Sequence, residues 1–163
     1  MKKVVLAFSG GLDTSFCVPY LKNEKGLEVH TVLVNTGGFS KEEAARIEER
    51  ALTLGAASHT TVDAVDTYYN KGLKYLIYGN VLKNNTYPLS VSSERVFQAL
   101  EVLNTVKKIG ADYVAHGSTG AGNDQVRFEL AIKRFAPDMK IIAPWREWDI
   151  KSRNEEIDYA EAH

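Results

Sequence analysis

The sequence predicts a doubly wound α/β fold, in which a parallel sheet of about five strands is flanked by helices. Short runs rich in apolar and β-branched residues alternate along the chain with segments of helical periodicity. The first two runs, residues 3–8 and 28–35, are apolar almost throughout, which is typical of strands buried on both faces of a parallel sheet. In this architecture ligands bind where loops leave the carboxyl ends of the strands.

The predicted elements alternate in a simple order. A helix starts near Asp13, and a capping box of sequence SKEE at Ser40 opens a second helix that ends at Gly55. A third helix, over residues 92–109, places four apolar side chains on one stripe and stops at the following glycine. Proline within the first helix, at Pro19, is expected to distort it locally. The five strands are predicted at residues 3–8, 28–35, 58–63, 112–116 and 139–143.

Composition limits the kinds of protein that this chain can be. Its 163 residues suffice for one domain with a core and hardly for two. The net charge of -1 gives no general attraction to nucleic acid or anionic membranes, so an anion site has to be local. No apolar run reaches the length of a membrane span, and the N-terminal run lacks the cleavage site of a signal peptide. Cys17 is the only cysteine, so we expect a cytoplasmic protein without an internal disulfide.

The stretch FSGGLDTS, residues 8–15, follows the first predicted strand and is suited to binding an anion. Gly10 and Gly11 can adopt positive φ and leave room for a ligand beside the backbone. Successive amides in such a turn, together with a helix N-terminus, attract a phosphate or pyrophosphate. The alternative is a plain glycine turn whose helix is capped by Asp13 or Thr14, and the glycines alone would favour it.

Spacing excludes two familiar phosphate loops. No lysine follows the glycines as in a P-loop, and no G-x-G-x-x-G pattern occurs here or at residues 117–122. The remaining pattern, S-G-G-x-D-[ST]-S, resembles the PP-loop of the N-type ATP pyrophosphatases, which cleave ATP between the α and β phosphates and adenylate a substrate.

The four histidines do not form a metal-ligand set, no metal ligand is predicted, and none of them is assigned to catalysis. His116 is expected to be a satisfied structural side chain, with orientation of the second loop as the alternative.

Asp13 would be repelled by a phosphate at this site. At ~4 Å from a phosphate oxygen the repulsion is about 4 kcal/mol at an effective dielectric of 20, and a helix N-terminus returns only about 0.3–1 kcal/mol. Asp13 therefore either turns away to cap the helix or faces an intervening Mg²⁺. We expect the cap, with Mg²⁺ on the nucleotide in either case.

A second polar loop, HGSTGAGNDQVRFE at residues 116–129, opens on the same edge of the sheet. Its three glycines allow the backbone to approach a ligand. Arg127 and the neighbouring hydroxyl and amide donors suit a carboxylate, and Asp124 suits an ammonium, so the set suits a zwitterionic amino acid. The alternative is a turn capped by Asn123 or Asp124 before a helix that runs toward Phe135.

Together with LVNTG at 33–37, Tyr87-Pro88-Leu89 and IAPWR at 142–146, these loops resemble the argininosuccinate synthase family, in this order and over essentially all 163 residues. GNDQVRFE is the specific block, because SGGLDTS alone indicates only the PP-loop superfamily. The resemblance implies an adenine nucleotide alpha-hydrolase-like fold. It also implies that residues 1–163 are a single nucleotide-binding domain, truncated before a synthetase domain. The capping box at Ser152–Glu155, in a helix still running at His163, favours a domain taken from a longer protein.

The family's reaction, as the resemblance implies it, joins citrulline and aspartate in two steps. The ureido oxygen of citrulline attacks the α-phosphate of MgATP, giving citrullyl-AMP and pyrophosphate, and the amine of aspartate then displaces AMP. ATP and Mg²⁺ are the implied cofactors, citrulline and aspartate the partners, without nucleic acid or membrane. The full-length protein is implied to be a homo-oligomer, and the isolated chain is expected to bind ATP weakly at best.

The resemblance also implies roles for individual residues. The ATP contacts fall on Ala7, Phe8, Ser9, Gly10, Gly11, Leu12, Asp13, Thr14, Ser15, Val34 and Gly117. Citrulline contacts fall on Tyr87, Ser92, Asn123 and Arg127, and aspartate contacts on Thr119, Asn123 and Asp124. Four residues depart from the family's usual pattern, namely Ser90 for glycine, Val91 for threonine, Val96 for proline and Ala121 for lysine.

Two other functions fit parts of the sequence. One is another PP-loop adenylating enzyme, such as a tRNA-thiolating or amidotransferase-type ATP pyrophosphatase. It would be supported by basic extensions or a cysteine pair, and neither is present. The other is a non-catalytic nucleotide-binding module of the universal-stress type, which explains the first loop but gives no reason for GNDQVRFE.

Overall fold

A computed structural model describes residues 1–120, 122–148, 155 and 157–159 of the chain. Its strands are β1 (Lys3–Ala7), β2 (Glu28–Asn35), β3 (Ser58–Asp63), β4 (Leu82–Lys83), β5 (Tyr87–Pro88), β6 (Tyr113–His116) and β7 (Lys140–Ile142). Its α-helices are α1 (Leu12–Pro19), α2 (Lys41–Thr53), α3 (Val65–Tyr68), α4 (Lys74–Tyr78), α5 (Ser90–Ile109), α6 (Asp124–Phe135) and α7 (Pro144–Glu147).

The five predicted strands are all present, each shortened by at most one residue at either end. They form one parallel sheet in the order β3-β2-β1-β6-β7, and β4 and β5 pair separately as a short antiparallel hairpin. The predicted doubly wound α/β fold is therefore confirmed. The strand order reverses between β1 and β6, so a crevice for a ligand is expected where these two strands end.

The sheet is buried on both faces, as its apolar strands require. Side chains of β1 alternate between two cores: Val4 and Leu6 pack with Phe16 of α1, whereas Val5 packs with Val102 of α5. All five are 0% or 1% exposed. The two layers hold β1 at the centre of the molecule, so the loop that leaves it has little freedom to shift.

Local signals place the start of α2 and the end of α1. The capping box at Ser40 is formed, with the Ser40 hydroxyl accepting from the Glu43 N–H and the Glu43 carboxylate accepting from the Ser40 N–H. These hydrogen bonds lower the pKa of Glu43. α1 ends at Pro19 and passes into a π-helical turn at Tyr20–Glu24, which confirms the distortion. Cys17 is 0% exposed, as expected of a core side chain.

The start of the third predicted helix is modified. α5 begins at Ser90, two residues earlier than predicted, and it ends at Ile109, capped by Gly110 with φ of 69°. Its first turn contains Ser90 and Val91, which depart from the family pattern. The capping box predicted at Ser152–Glu155, like the departure at Ala121, lies outside the described residues. Across the described ranges, no helix is both long and apolar enough to cross a membrane.

Candidate functional site

A cleft of about 1000 Å³ lies at the carboxyl ends of β1, β2 and β6. It is lined by the loops that follow these strands and by side chains of α5 and α6. The cleft thus opens at the edge of the sheet where the sequence predicts the site. The predicted site residues that line it are Ala7, Phe8, Ser9, Gly11, Leu12, Asp13, Thr14, Val34, Tyr87, Gly117, Thr119, Asn123, Asp124 and Arg127.

Three predicted site residues lie outside the wall of this cleft. Gly10 instead lines a second, smaller cavity of about 390 Å³ beside α2. The Ser15 hydroxyl is buried within α1 and has no hydrogen-bond partner among the described residues. Ser92 lies in the first turn of α5, where its N–H donates to the Leu89 carbonyl.

The loop after β1 combines one left-handed residue with one extended residue. Gly10 has φ of +75°, which only glycine adopts without strain, whereas Gly11 has φ of −74° and ψ of 169°. Gly11 is the N-cap of α1, and its carbonyl accepts the first helical hydrogen bond from the Ser15 N–H at 2.9 Å. No side chain caps this helix.

The expectation that Asp13 caps α1 is therefore wrong. Asp13 is the second helical residue, after the N-cap at Gly11, and it lines the cleft. A carboxylate there repels phosphate unless a cation lies between them. Thr14 does not cap the helix either, because its hydroxyl donates to the Gly11 carbonyl at 3.1 Å and lies 3.3 Å from the Ser9 hydroxyl.

The second loop meets the first at Gly117. A Cβ on Gly117 would lie 2.9 Å from the Thr14 Cγ2, closer than real Cβ atoms come, and 3.2 Å from the Asp13 carbonyl oxygen, which is a tight contact. The close approach of the first loop thus favours glycine here, although this residue does not have positive φ. The contact joins the loops into one continuous wall.

His116, at the end of β6, holds the second loop in place. The side chain is 2% exposed, and its Nδ1 accepts from the Ser118 N–H at 3.3 Å. Nδ1 is therefore unprotonated, so Nε2 carries the proton and donates to Glu129 Oε1 at 3.1 Å. Burial lowers the pKa of His116, and Glu129 opposes this only in part. Both predicted roles of His116 thus apply: it is a buried structural side chain with its hydrogen bonds satisfied, and it orients the second loop.

The other side of the cleft carries paired charges. Asp124 accepts from Arg95 Nε at 3.1 Å through one oxygen and from Arg127 Nη1 at 3.0 Å through the other. Both carboxylate oxygens are therefore engaged, and the Asp124 side chain is 43% exposed. Asn123 is the N-cap of α6 but makes no capping hydrogen bond through its side chain.

A hydrogen-bond network continues from this carboxylate to the loop after β2. Arg95 Nη1 donates to Gln98 Oε1 at 2.8 Å, and Gln98 donates to Glu94 Oε1 at 3.1 Å. Glu94 Oε1 also accepts from the Thr36 hydroxyl at 2.5 Å. The network ties α5 to the end of β2 and to α6, so the three elements form one polar wall.

Sequence reasoning missed Glu94 and Gln98 and gave Arg95 no role. These residues lie on the polar side of a predicted amphipathic helix, a pattern shared by solvated helix faces. Phe39 was also missed, although the Asn35 side chain shapes its loop by accepting from the N–H groups of Gly37 and Phe39. Asparagine at the end of a strand before two glycines is a turn signal that could have marked this loop.

Known proteins share this fold and sequence. The chain is 48% identical over 158 residues to an argininosuccinate synthase of Saccharolobus solfataricus, covering 97% of this chain and 40% of the relative. It is 45% identical over 162 residues to one of Pelotomaculum thermopropionicum, again covering 40% of the relative. The chain thus spans about 40% of the length of these relatives.

A solved structure supports the fold alone. A predicted subunit of a tRNA methyltransferase from Methanocaldococcus jannaschii superposes with a TM-score of 0.57 at 21% identity, covering 99% of this chain and 75% of that one.

The sequence profile described as "Arginosuccinate synthase N-terminal HUP domain" matches residues 3–163. The resemblance inferred from the two loops is confirmed, and this chain belongs to the arginosuccinate synthase N-terminal HUP domain family.

Proposed function

We propose that this domain binds ATP in the cleft and contributes to the synthesis of argininosuccinate from citrulline and aspartate. Citrulline would be activated as citrullyl-AMP with release of pyrophosphate, and aspartate would then displace AMP. One observation carries the proposal: the glycine loop and the polar residues of α6 line the same cleft, at the point where the strand order reverses. A phosphate chain and an amino acid can therefore meet there.

ATP fits the first half of the cleft. The phosphates would lie at Gly11, Thr14 and Ser9, where a helix N-terminus and hydroxyl groups face the cavity. The adenine would lie against Val34 and Phe39, at the end of β2, where apolar side chains line the wall. The second loop closes this part of the site at Gly117, next to Thr14.

Magnesium fits beside the phosphates. Asp13 lines the cleft and is free of any capping role, and one carboxylate together with phosphate oxygens is a donor set that suits Mg²⁺. When bound, the ion would neutralise charge on the phosphates during their transfer. The remaining described residues offer no group of three potential ligand side chains, so we assign Asp13 alone to this ion.

Citrulline and aspartate fit the polar wall. We assign citrulline to Tyr87, Ser92, Asn123 and Arg127, and aspartate to Thr119, Asn123 and Asp124. Asp124 is already paired with two arginines, so an incoming ammonium would replace one guanidinium while the substrate carboxylate takes up the guanidinium released. This exchange keeps the charge of the site balanced, and it explains why a zwitterion suits the site better than a simple amine.

The residues act mainly by positioning. Displacement at phosphorus depends on alignment and charge neutralisation, and no dedicated acid–base pair is needed. His116 stays neutral at physiological pH and takes no part in proton transfer, since both ring nitrogens are engaged in structural hydrogen bonds. We further propose that the whole protein is a cytoplasmic homo-oligomer that supplies the remaining substrate contacts and needs no nucleic acid.

A chimera tests the function. Residues 1–163 would be fused to the remainder of the Saccharolobus solfataricus relative, which is 48% identical over this region, with that relative as the positive control. We expect pyrophosphate release only when citrulline is present, and argininosuccinate only when aspartate is added as well. Pyrophosphate release without citrulline would contradict the substrate assignment and favour another PP-loop adenylating enzyme. ATP binding without any turnover would favour the non-catalytic module.

A further inference from the structure

Arg50 contacts the phosphate loop from the side of α2. Its Nη1 donates to the Gly10 carbonyl at 2.5 Å. Ile47, on the same helix, lies so near that a Cβ on Gly10 would be 2.8 Å from the Ile47 Cγ1. Both side chains line the small second cavity, which shares Ser9 and Gly11 with the main cleft. The loop is thus a wall between two cavities, and α2 supports it on one side.

This hydrogen bond fixes the direction of an amide that faces the cleft. In a trans peptide the C=O and the N–H point in opposite directions, and the described part of the chain contains no cis peptide. A Gly10 carbonyl turned toward Arg50 therefore turns the Gly11 N–H away from α2. Gly11 lines the cleft, and its N–H has no hydrogen-bond partner among the described residues. The amide is available to an anion.

Without such a contact, the peptide between two glycines could turn over. Glycine adopts positive and negative φ about equally, so the sequence Gly10-Gly11 does not itself select one orientation. The reversed peptide would direct a carbonyl oxygen toward the cleft, where it would repel a phosphate. Arg50 is suited to prevent this, because its positively charged guanidinium donates a charge-assisted hydrogen bond to the carbonyl.

We propose that Arg50 is a positioning residue that holds the Gly10–Gly11 peptide with its N–H toward the phosphates of a nucleotide. The inference rests on the proposed ATP site, and it adds a residue that does not itself touch the ligand. It also gives α2 a role, since the same helix begins next to the loop that lines the adenine half of the cleft.

Arg46 provides a matched control. It is an exposed arginine of α2, one turn before Arg50, and it lines the same small cavity. The hydrogen bonds of the described residues include none from Arg46 to the phosphate loop. Arg46→Met and Arg50→Met therefore remove the same charge at similar positions, but only the second removes the bond to Gly10. Arg50→Lys keeps the charge and one donor.

The binding experiment uses the 163-residue chain, titrated calorimetrically with MgATP and with adenosine. We expect Arg50→Met to weaken MgATP binding at least about tenfold and adenosine binding less than twofold. Arg46→Met should change both less than twofold, and Arg50→Lys should recover part of the affinity for MgATP. Equal losses of MgATP affinity in Arg46→Met and Arg50→Met would show that only the overall positive charge matters, and this would overturn the proposal. Unchanged MgATP binding in Arg50→Met would overturn it as well.

An NMR measurement tests the geometry without relying on ATP. In ¹⁵N-labelled protein, Arg50→Met should shift the Gly11 amide resonance, whereas Arg46→Met should leave it in place. If the isolated chain binds MgATP too weakly to measure, this amide measurement still decides the role of Arg50, whereas the chimera decides the proposed function. An unchanged Gly11 amide in Arg50→Met overturns the inference. Thermal unfolding identifies any variant that has lost the fold, and Arg50→Lys then replaces it in the comparison.

Discussion

The phosphate loop after β1 and the polar wall of α5 and α6 line the same cleft but are built from different parts of the chain. In the loop, main-chain groups face the site: Gly10 is left-handed and the Gly11 N–H has no described partner. In the wall, charged side chains face the site, and Asp124 is bonded to both Arg95 and Arg127. The phosphate loop is open to a ligand, whereas the charged side chains of the polar wall are already paired with one another.

The difference shows two ways of preparing a binding site for charge. Backbone amides held by a buried strand need no rearrangement to accept a phosphate, because the strand and helix already fix their directions. Charged side chains without a partner would repel like charges or have to be solvated by water. In the free protein they therefore pair with one another, until a substrate binds. The pairs around Asp124 are partly exposed, and such pairs are worth only about 0–1 kcal/mol. A zwitterionic substrate can therefore replace them at small cost.

The largest effect is expected from a substitution in the backbone half. Gly10→Ala would force an L-residue into left-handed φ, at about 1–2 kcal/mol. It would also press a methyl group against Ile47, at about 1–3 kcal/mol of overpacking. We expect the free energy of unfolding to fall by roughly 2–5 kcal/mol and MgATP binding to be lost, measured by denaturant unfolding and calorimetry.

Gly26→Ala is the control for this substitution. Gly26 also has positive φ, +62°, but nothing lies within 4 Å of the Cβ it would gain. It should lose only about 1–2 kcal/mol and keep its nucleotide affinity. If both variants lost the same stability, the packing of α2 against the phosphate loop would not contribute to stability, and the loop would not be held rigidly by that helix.

The side-chain half should respond to Asp124→Asn in binding rather than in stability. The substitution removes the charge that an ammonium would bind and leaves Arg95 and Arg127 to repel each other. In the chimera described above, we expect the KM for aspartate to rise at least about tenfold and the KM for ATP to change less than twofold. Asp138→Asn, at an exposed site, is the control. An equal rise for both substrates would show that the two halves are not separate.

The pH dependence of stability should reveal how the second loop is held. Because burial lowers the pKa of His116, the unfolded chain binds more protons than the folded chain below about pH 6.5. The free energy of unfolding should therefore fall as the pH falls below that value, by at most about 1.4 kcal/mol per pH unit for this group. Above pH 7 this contribution is complete and constant.

His116→Gln should reduce that slope in urea unfolding between pH 7 and pH 5. His59 contributes with the same sign, because burial also lowers its pKa, so His59→Gln measures the share of His59. A slope that is unchanged in His116→Gln would contradict the structure of the second loop. Glycine and amide groups of the first loop do not titrate in this range, so acid should weaken the second loop before the first.

The smallest stability effect is expected from Arg95→Met. Its ion pair with Asp124 joins side chains that are 31% and 43% exposed, so the free energy of unfolding should fall by less than about 1 kcal/mol. Aspartate affinity in the chimera should fall more clearly, since Asp124 loses one of its two partners. A stability loss above about 2 kcal/mol would mean that this wall is a structural core element rather than an exchangeable one.

The sequence by itself determined the five strands of the main sheet, the start of α2 and the edge of the sheet at which the cleft opens. Apolar runs located all five strands of the main sheet, and the serine and glutamate of the α2 capping box located a helix start. Gly10 and the block that contains Asn123, Asp124 and Arg127 marked the two loops. These signals act within a few residues of the chain, through φ and ψ limits, capping hydrogen bonds and the period of side-chain burial, so they can be read locally.

Tertiary structure alone decided which charged groups meet. The cap on α1 is Gly11 rather than Asp13, Asp124 is shared by two arginines, and Arg50 reaches the phosphate loop from forty residues away. Arginines and glutamates on the polar face of a helix have the same spacing whether they face water or a neighbouring loop. Their partners depend on how closely the helices pack on the sheet, and that distance is set by the core.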